Sequence, residues 1–164
     1  MARWLLRTKR TKQITLDVKP WPYFVSDATE ADVTELVNGD GPKELCADLR
    51  ALLDDGLLLC EASPEYTRPD QFRYSPGLLA RWATADLVIL KGDLNYRRLV
   101  GDLEWDPMTP FQEAVDYLPT KSVALRALKS ELVVGLSEAV VEEARSNSDS
   151  WRVDGSRGLV QTNW

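Results

Sequence analysis

The 164-residue chain contains no histidine. That removes Ser-His-Asp and Cys-His catalysis, HExxH zinc hydrolysis and every imidazole-held metal, unless another chain supplies the ring. Cysteine is scarce too. Cys46 and Cys60 lie in apolar surroundings and no signal-peptide pattern precedes them, so free thiols in the cytoplasm are expected and not a disulfide framework. No apolar run approaches the roughly 20 residues that span a bilayer, so no membrane partner is expected. What is left for chemistry is carboxylates, amides, lysine and arginine, together with any hard metal ion such oxygens can hold.

Charge is unevenly spread. Of 20 basic and 26 acidic side chains, six and one fall in residues 1–19 (Arg3, Arg7, Lys9, Arg10, Lys12, Lys19 and Asp17), which leaves 14 against 25 in the remainder. A basic N-terminus can be a nucleic-acid tether, a transit peptide or the solvated end of a helix, here ARWLLRTKR with Trp4, Leu5 and Thr8 turned inward. No aromatic-interleaved basic surface follows and the body is acidic, so nucleic acid is not an expected partner. The length bounds the chain at one domain, 1–164.

The segments alternate as in an α/β protein. Residues 13–18 read as a strand and the proline-rich 19–25 as an extended loop. A helix to about residue 37 follows, capped by Ser26 or Asp27. After the breaker NGDGP, leucines at 45, 49, 52 and 53 mark a second helix. Residues 57–60 form a short strand, 61–76 a loop and 76–84 a short helix, and ADLVIL at 85–90 has the pattern of a buried strand. A strand at 122–125, a helix at 138–145, a mobile polar loop at 146–150 and a late strand at 158–161 complete the chain.

Three patterns bear on chemistry. KGDLNYRR follows the strand 87–90, at the strand end where open α/β sheets bind ligands. Gly92 permits the turn, Asp93 caps the next helix, the N–H groups of Leu94, Asn95 and Tyr96 face outward, and Lys91 and Arg97 add charge suited to phosphate. The plainer reading is a capped turn with solvated arginines. In FVSDAT, Asp27 is either a ligand for Mg²⁺ or Mn²⁺ or an N-cap. In LRALK, Arg126 and Lys129 either clamp a phosphoryl group or are surface charge.

Taken together, ITLDVKPWPYFVSDATEADV, ADLVILKGDLNYRRLVGDLEWDP, LRALKSELVVGL and Trp151 with Asp154-Gly155 resemble the damage-control phosphatase family, in particular its RTxK-motif, acidic-residue methyltransferase-like subfamily. The resemblance covers about residues 14–160. It implies a three-layer α/β/α Rossmann-like sheet, here incomplete at its N-terminus, with a divalent metal centre (Mn²⁺, or Co²⁺, Ni²⁺ or Mg²⁺). It implies that Asp27 is a metal ligand, and that Asp93, Leu94, Asn95, Tyr96, Arg97 and Lys129 bind a small phosphorylated metabolite. The implied activity is hydrolysis of phosphate monoesters of sugars or damaged metabolites. Two alternatives stand beside it: a short non-catalytic paralogue that still binds phosphorylated ligands, and an S-adenosylmethionine-dependent carboxyl methyltransferase.

There are departures. The family's other two metal ligands sit in an Asp-Asn pair upstream of the FVSD block, and this sequence contains no Asp-Asn dipeptide. The family's histidine in the first strand is Asp17 here, and the threonine of RTxK is Ala127. A truncated form is therefore expected, with the phosphate-holding half largely intact and one metal ligand of three.

Overall fold

Alternating polar and apolar residues build strand β1 (Ile14–Val18), which pairs in parallel with β2 (Leu58–Ala62) in register from Ile14↔Leu58 to Val18↔Ala62. Parallel neighbours need a crossover, and helices α2 (Glu30–Asn38) and α3 (Lys43–Asp54) provide it. The computed structural model describes residues 1–24, 27–39 and 41–164, so Val25, the expected alternative cap Ser26, and Asp40 of the breaker lie outside the described residues. The chain divides into two compact units, Met1–Arg68 and Pro69–Trp164.

In the first unit the leucine spacing of α3 seats Leu52 against Leu58 of β2 and Leu6 of α1 (Ala2–Arg7), flanked by Ile14, Leu16, Leu49 and Leu53. The inward residue of α1 is thus Leu6 and not the expected Trp4 and Thr8. A six-residue helix buries only one narrow stripe, and Trp4 stays exposed with the Arg10 guanidinium 4.8 Å from its ring centroid. Arg3 and Arg7 both donate to the Asp48 carboxylate on α3. The Arg3 bond also holds that carboxyl below its usual range. Part of the basic N-terminus is therefore balanced within its own unit.

The cap of α2 is Thr29, not Asp27. Thr29 Oγ1 accepts from the Asp32 N–H at 3.4 Å, and Asp32 Oδ2 accepts from the Thr29 N–H at 2.7 Å, forming a capping box. Asp27 is displaced from that role because its carboxylate is engaged elsewhere, as described below. Thr29→Ala is expected to lower stability by about 1 kcal/mol, the usual cost of a lost N-cap, measured as a shift in the urea midpoint at unchanged slope.

The second unit comprises α4 (Pro76–Trp82), β3 (Val88–Lys91), α5 (Asp93–Leu99), α6 (Phe111–Ala114), β4 (Ser122–Ala127), α7 (Glu138–Asn147) and β5 (Gly158–Asn163). Its sheet has the order β3-β4-β5, with β3 parallel and β5 antiparallel to β4. The α/β class read from the sequence holds, with the described strands forming two small sheets. Residues 85–90 are less buried than their apolar run implies. Only Leu90 of β3 is buried and Leu87 is exposed, because β3 has one strand neighbour among the described residues. The core of this unit gathers Leu128, Val133, Ala144 and Trp151, with Leu136 and Leu159 against them. Loop 146–150 is partly ordered: α7 runs on to Asn147, whose Nδ2 donates to Glu143 O. Among the described residues no helix is long and apolar enough to cross a membrane.

Candidate functional site

The parallel pair β3–β4 ends in two polar turns. After Lys91 the chain reverses through Gly92 at φ +105°, a conformation costly for any residue with a Cβ, and α5 begins at once with Asp93. Asp93 does not cap this helix as the sequence suggests. Its Oδ1 accepts from Arg126 Nε at 2.7 Å and from Ser130 Oγ at 3.3 Å. Arg126, on β4, has a side chain with 0% exposure and donates further to Leu132 O and to Ser130 O and Oγ. Its guanidinium lies 4.5 Å from the Tyr96 ring centroid. With four of its five N–H groups spent internally, Arg126 cannot act as half of a phosphoryl clamp. It is a buried clasp between the start of α5 and the 130–132 turn.

Lys129 has the opposite fate. The two-residue alternation of the strand continues past β4, burying Arg126 and Leu128 and leaving Ala127 and Lys129 exposed. Leu128 is fixed on both sides: its N–H donates to Arg157 O at 2.9 Å and its carbonyl accepts from Gly155 N–H at 3.0 Å. A side-chain carbon at Gly155 would stand 4.0 Å from Lys129 Cε. Lys91 is also exposed, and among the described residues neither Lys91 nor Lys129 has an ion-pair partner. Two ammonium groups without an ion-pair partner among the described residues thus stand at the carboxyl end of β3 and two residues past the end of its parallel neighbour β4.

The remaining residues of DLNYR serve different ends. Asn95 Nδ2 donates to Lys91 O at 2.8 Å, while its Oδ1 is buried without a hydrogen-bond partner. The Tyr96 N–H, one of the three expected to face outward, donates to Gly92 O at 3.1 Å. The Tyr96 side chain is interior at 1% exposure, its ring stacked on Phe111 and its hydroxyl donating to Gln161 Oε1 at 2.8 Å while accepting from the Val134 N–H. Burial pushes that phenol's pKa up. Arg97 is held by Asp102 through Nε–Oδ1 at 2.8 Å and Nη2–Oδ2 at 2.7 Å, with Asp102 itself in the left-handed region at φ +52°. This bidentate bond raises the pKa of Arg97, and a phosphate would have to compete with it. Leu94 is half-buried on the same helix.

Asp27 belongs to the first unit. β1 is prolonged by a parallel bridge between Lys19 and Thr29, and the Lys19 N–H donates to Ala28 O. This sets Lys19 Nζ 2.7 Å from Asp27 Oδ1, with both side chains largely buried at 7% and 13% exposure. Oδ2 accepts from the N–H groups of Tyr23 and Phe24 at 3.1 and 2.7 Å. A divalent ion asks for several hard oxygen ligands. Among the described residues no three carboxylate or cysteine side chains stand together, and both oxygens of Asp27 are occupied. The residues present do not by themselves fit a complete metal centre.

Sequence reasoning passed over four of these partners: Lys19, Asp102, Ser130 and Gln161. Only Ser130 carried a signal, as the residue directly after Lys129. The others meet their partners through pairings that no spacing rule reveals.

Residues 1–144 match the damage-control phosphatase ARMT1-like domain. The chain belongs to that family. Over 98% of its length it is 31% identical to the damage-control phosphatase ARMT1 of Xenopus laevis, 30% to that of Homo sapiens and 29% to that of Danio rerio. It spans 39% of the length of the first two of these relatives. In this member of a phosphatase family Lys91 and Lys129 have no ion-pair partner among the described residues, Arg126 and Arg97 are committed to carboxylates, and Arg98 donates to Asp70 O.

Proposed function

We propose that the chain is the phosphate-holding part of a phosphatase acting on small phosphorylated metabolites, sugar phosphates among them, in the cytoplasm and with the help of a divalent metal such as Mn²⁺. The observation that carries this reading is the match to damage-control phosphatases along 98% of the chain. The exposed ammonium groups of Lys129 and Lys91, without an ion-pair partner among the described residues, support it as cations for a phosphate, and the free thiols of Cys46 and Cys60 support the cytoplasmic setting. In the first unit Asp27 is a metal ligand, and in the second unit Asp93, Leu94, Asn95, Tyr96 and Arg97 form or support the substrate wall. A second reading, binding of phosphorylated ligands without turnover, is favoured by the occupied carboxylate of Asp27.

Two measurements separate these readings. Hydrolysis of hexose phosphates with Mn²⁺ or Co²⁺ supports the phosphatase. Calorimetric binding of the same compounds with no release of phosphate supports the binding protein. Under either reading Lys129→Ala is expected to weaken phosphate binding about tenfold, the worth of one charge-assisted bond, without moving the urea midpoint. Unchanged affinity in that variant would remove Lys129 from the site.

A further inference from the structure

The carboxylate that family resemblance assigns to a metal already has a cation. Lys19 Nζ stands 2.7 Å from Asp27 Oδ1, and the pair is screened from solvent. Its backbone is tied down by the bridge to Thr29 and the bond to Ala28, so only the side chain can move away. The ammonium also lies 5.9 Å from the centroid of the Tyr23 ring. The other oxygen of the carboxylate accepts from the backbone N–H groups of Tyr23 and Phe24. A carboxylate offers roughly four lone-pair sites, of which three are used here. A divalent ion on the fourth would sit within a few ångströms of the ammonium, where its double charge and the ammonium repel each other.

We propose that Lys19 is the resident cation of Asp27, and that a divalent metal ion gains this carboxylate only by displacing the ammonium. Lys19 is therefore a positioning residue that keeps the Asp27 carboxylate aimed while no metal is bound, and that sets the affinity any metal must exceed. The inference concerns the ion pair alone and holds whether or not the chain turns over phosphate esters.

The test uses Mn²⁺ alone on the full chain, with no substrate, so its failure is distinct from failure of the phosphatase reading. Mn²⁺ binding is followed by electron paramagnetic resonance in the unaltered chain and in Lys19→Met, Lys19→Arg and Asp27→Asn. The Met variant, which keeps the length of the side chain without its charge, is expected to bind at least about tenfold more tightly than the unaltered chain. The Arg variant should stay as weak, and Lys19→Met combined with Asp27→Asn should lose the gain. Because Lys19→Met leaves Asp27 without its partner, its melting temperature is measured as well. Mn²⁺ should raise that temperature in Lys19→Met and leave the unaltered chain unmoved. Equal Mn²⁺ affinity in the unaltered and Met forms, or no Mn²⁺ binding and no thermal rescue in the Met form, overturns the proposal.

Discussion

Arg126→Ala is expected to destabilise the chain by about 3–5 kcal/mol, the cost of breaking a buried ion pair from one side. The guanidinium is wholly buried and ties together groups from three places: the Asp93 carboxylate at the start of α5, the Ser130 and Leu132 carbonyls beyond β4, and the face of Tyr96. Removing it strands a partly buried carboxylate and two carbonyls at once. Arg126→Lys keeps the charge but offers a single point where a planar fork is needed. It should recover only part of the loss, and Arg126→Met should recover packing but not the hydrogen bonds. Urea unfolding with an unchanged slope is the measurement. A loss below about 1 kcal/mol would be the value of an exposed pair and would mean that the clasp contributes little.

The second large effect is expected at Tyr96. Tyr96→Ala should cost about 3–5 kcal/mol, as for other buried aromatic truncations. The ring fills the space between Phe111 and Arg126, and at 1% exposure it has no solvent to replace it. Tyr96→Phe isolates the hydroxyl, whose bonds to Gln161 and Val134 are worth about 1–2 kcal/mol together. The Phe variant also separates two roles. If Tyr96 supports the wall from behind, Tyr96→Phe keeps its affinity for hexose phosphate while its urea midpoint falls. A loss of affinity at unchanged stability would instead put the hydroxyl on the substrate.

Local periodicity made most of the fold readable. Leucine spacing in α3, alternation in β1 and the apolar run ending at Leu90 report on their own backbone geometry, and each element formed close to where its pattern lies. The four-residue helix α6 after Pro110 is too short to show a period. The antiparallel direction of β5 depends on partners distant in sequence. The site divides along the same line. That Lys129 faces outward follows from strand alternation carried past Ala127, whereas the engagement of Arg126, Arg97 and Asp27 does not. Arg126 and Lys129 look alike as two cations three residues apart. One ends up fully buried and the other exposed, because the sheet has two faces and a charge pattern cannot say which face is inside. The same holds for Asp27. Its neighbours in sequence suggest a helix cap or a metal ligand, and the group that actually reaches it, Lys19, arrives through a strand bridge.

Finally, the pairing of β5 with β4 has a consequence for where this unit can be divided. The family match ends at residue 144, yet β5 begins at Gly158, and Gly155 and Arg157 hold the backbone of Leu128 beside Lys129. A chain cut at residue 144 would unzip one side of β4, bare Leu128 and Trp151's place in the core, and release the very lysine expected to meet phosphate. The stretch that folds together runs past residue 144, and the likeness to the relatives, over 98% of the chain, runs past it too.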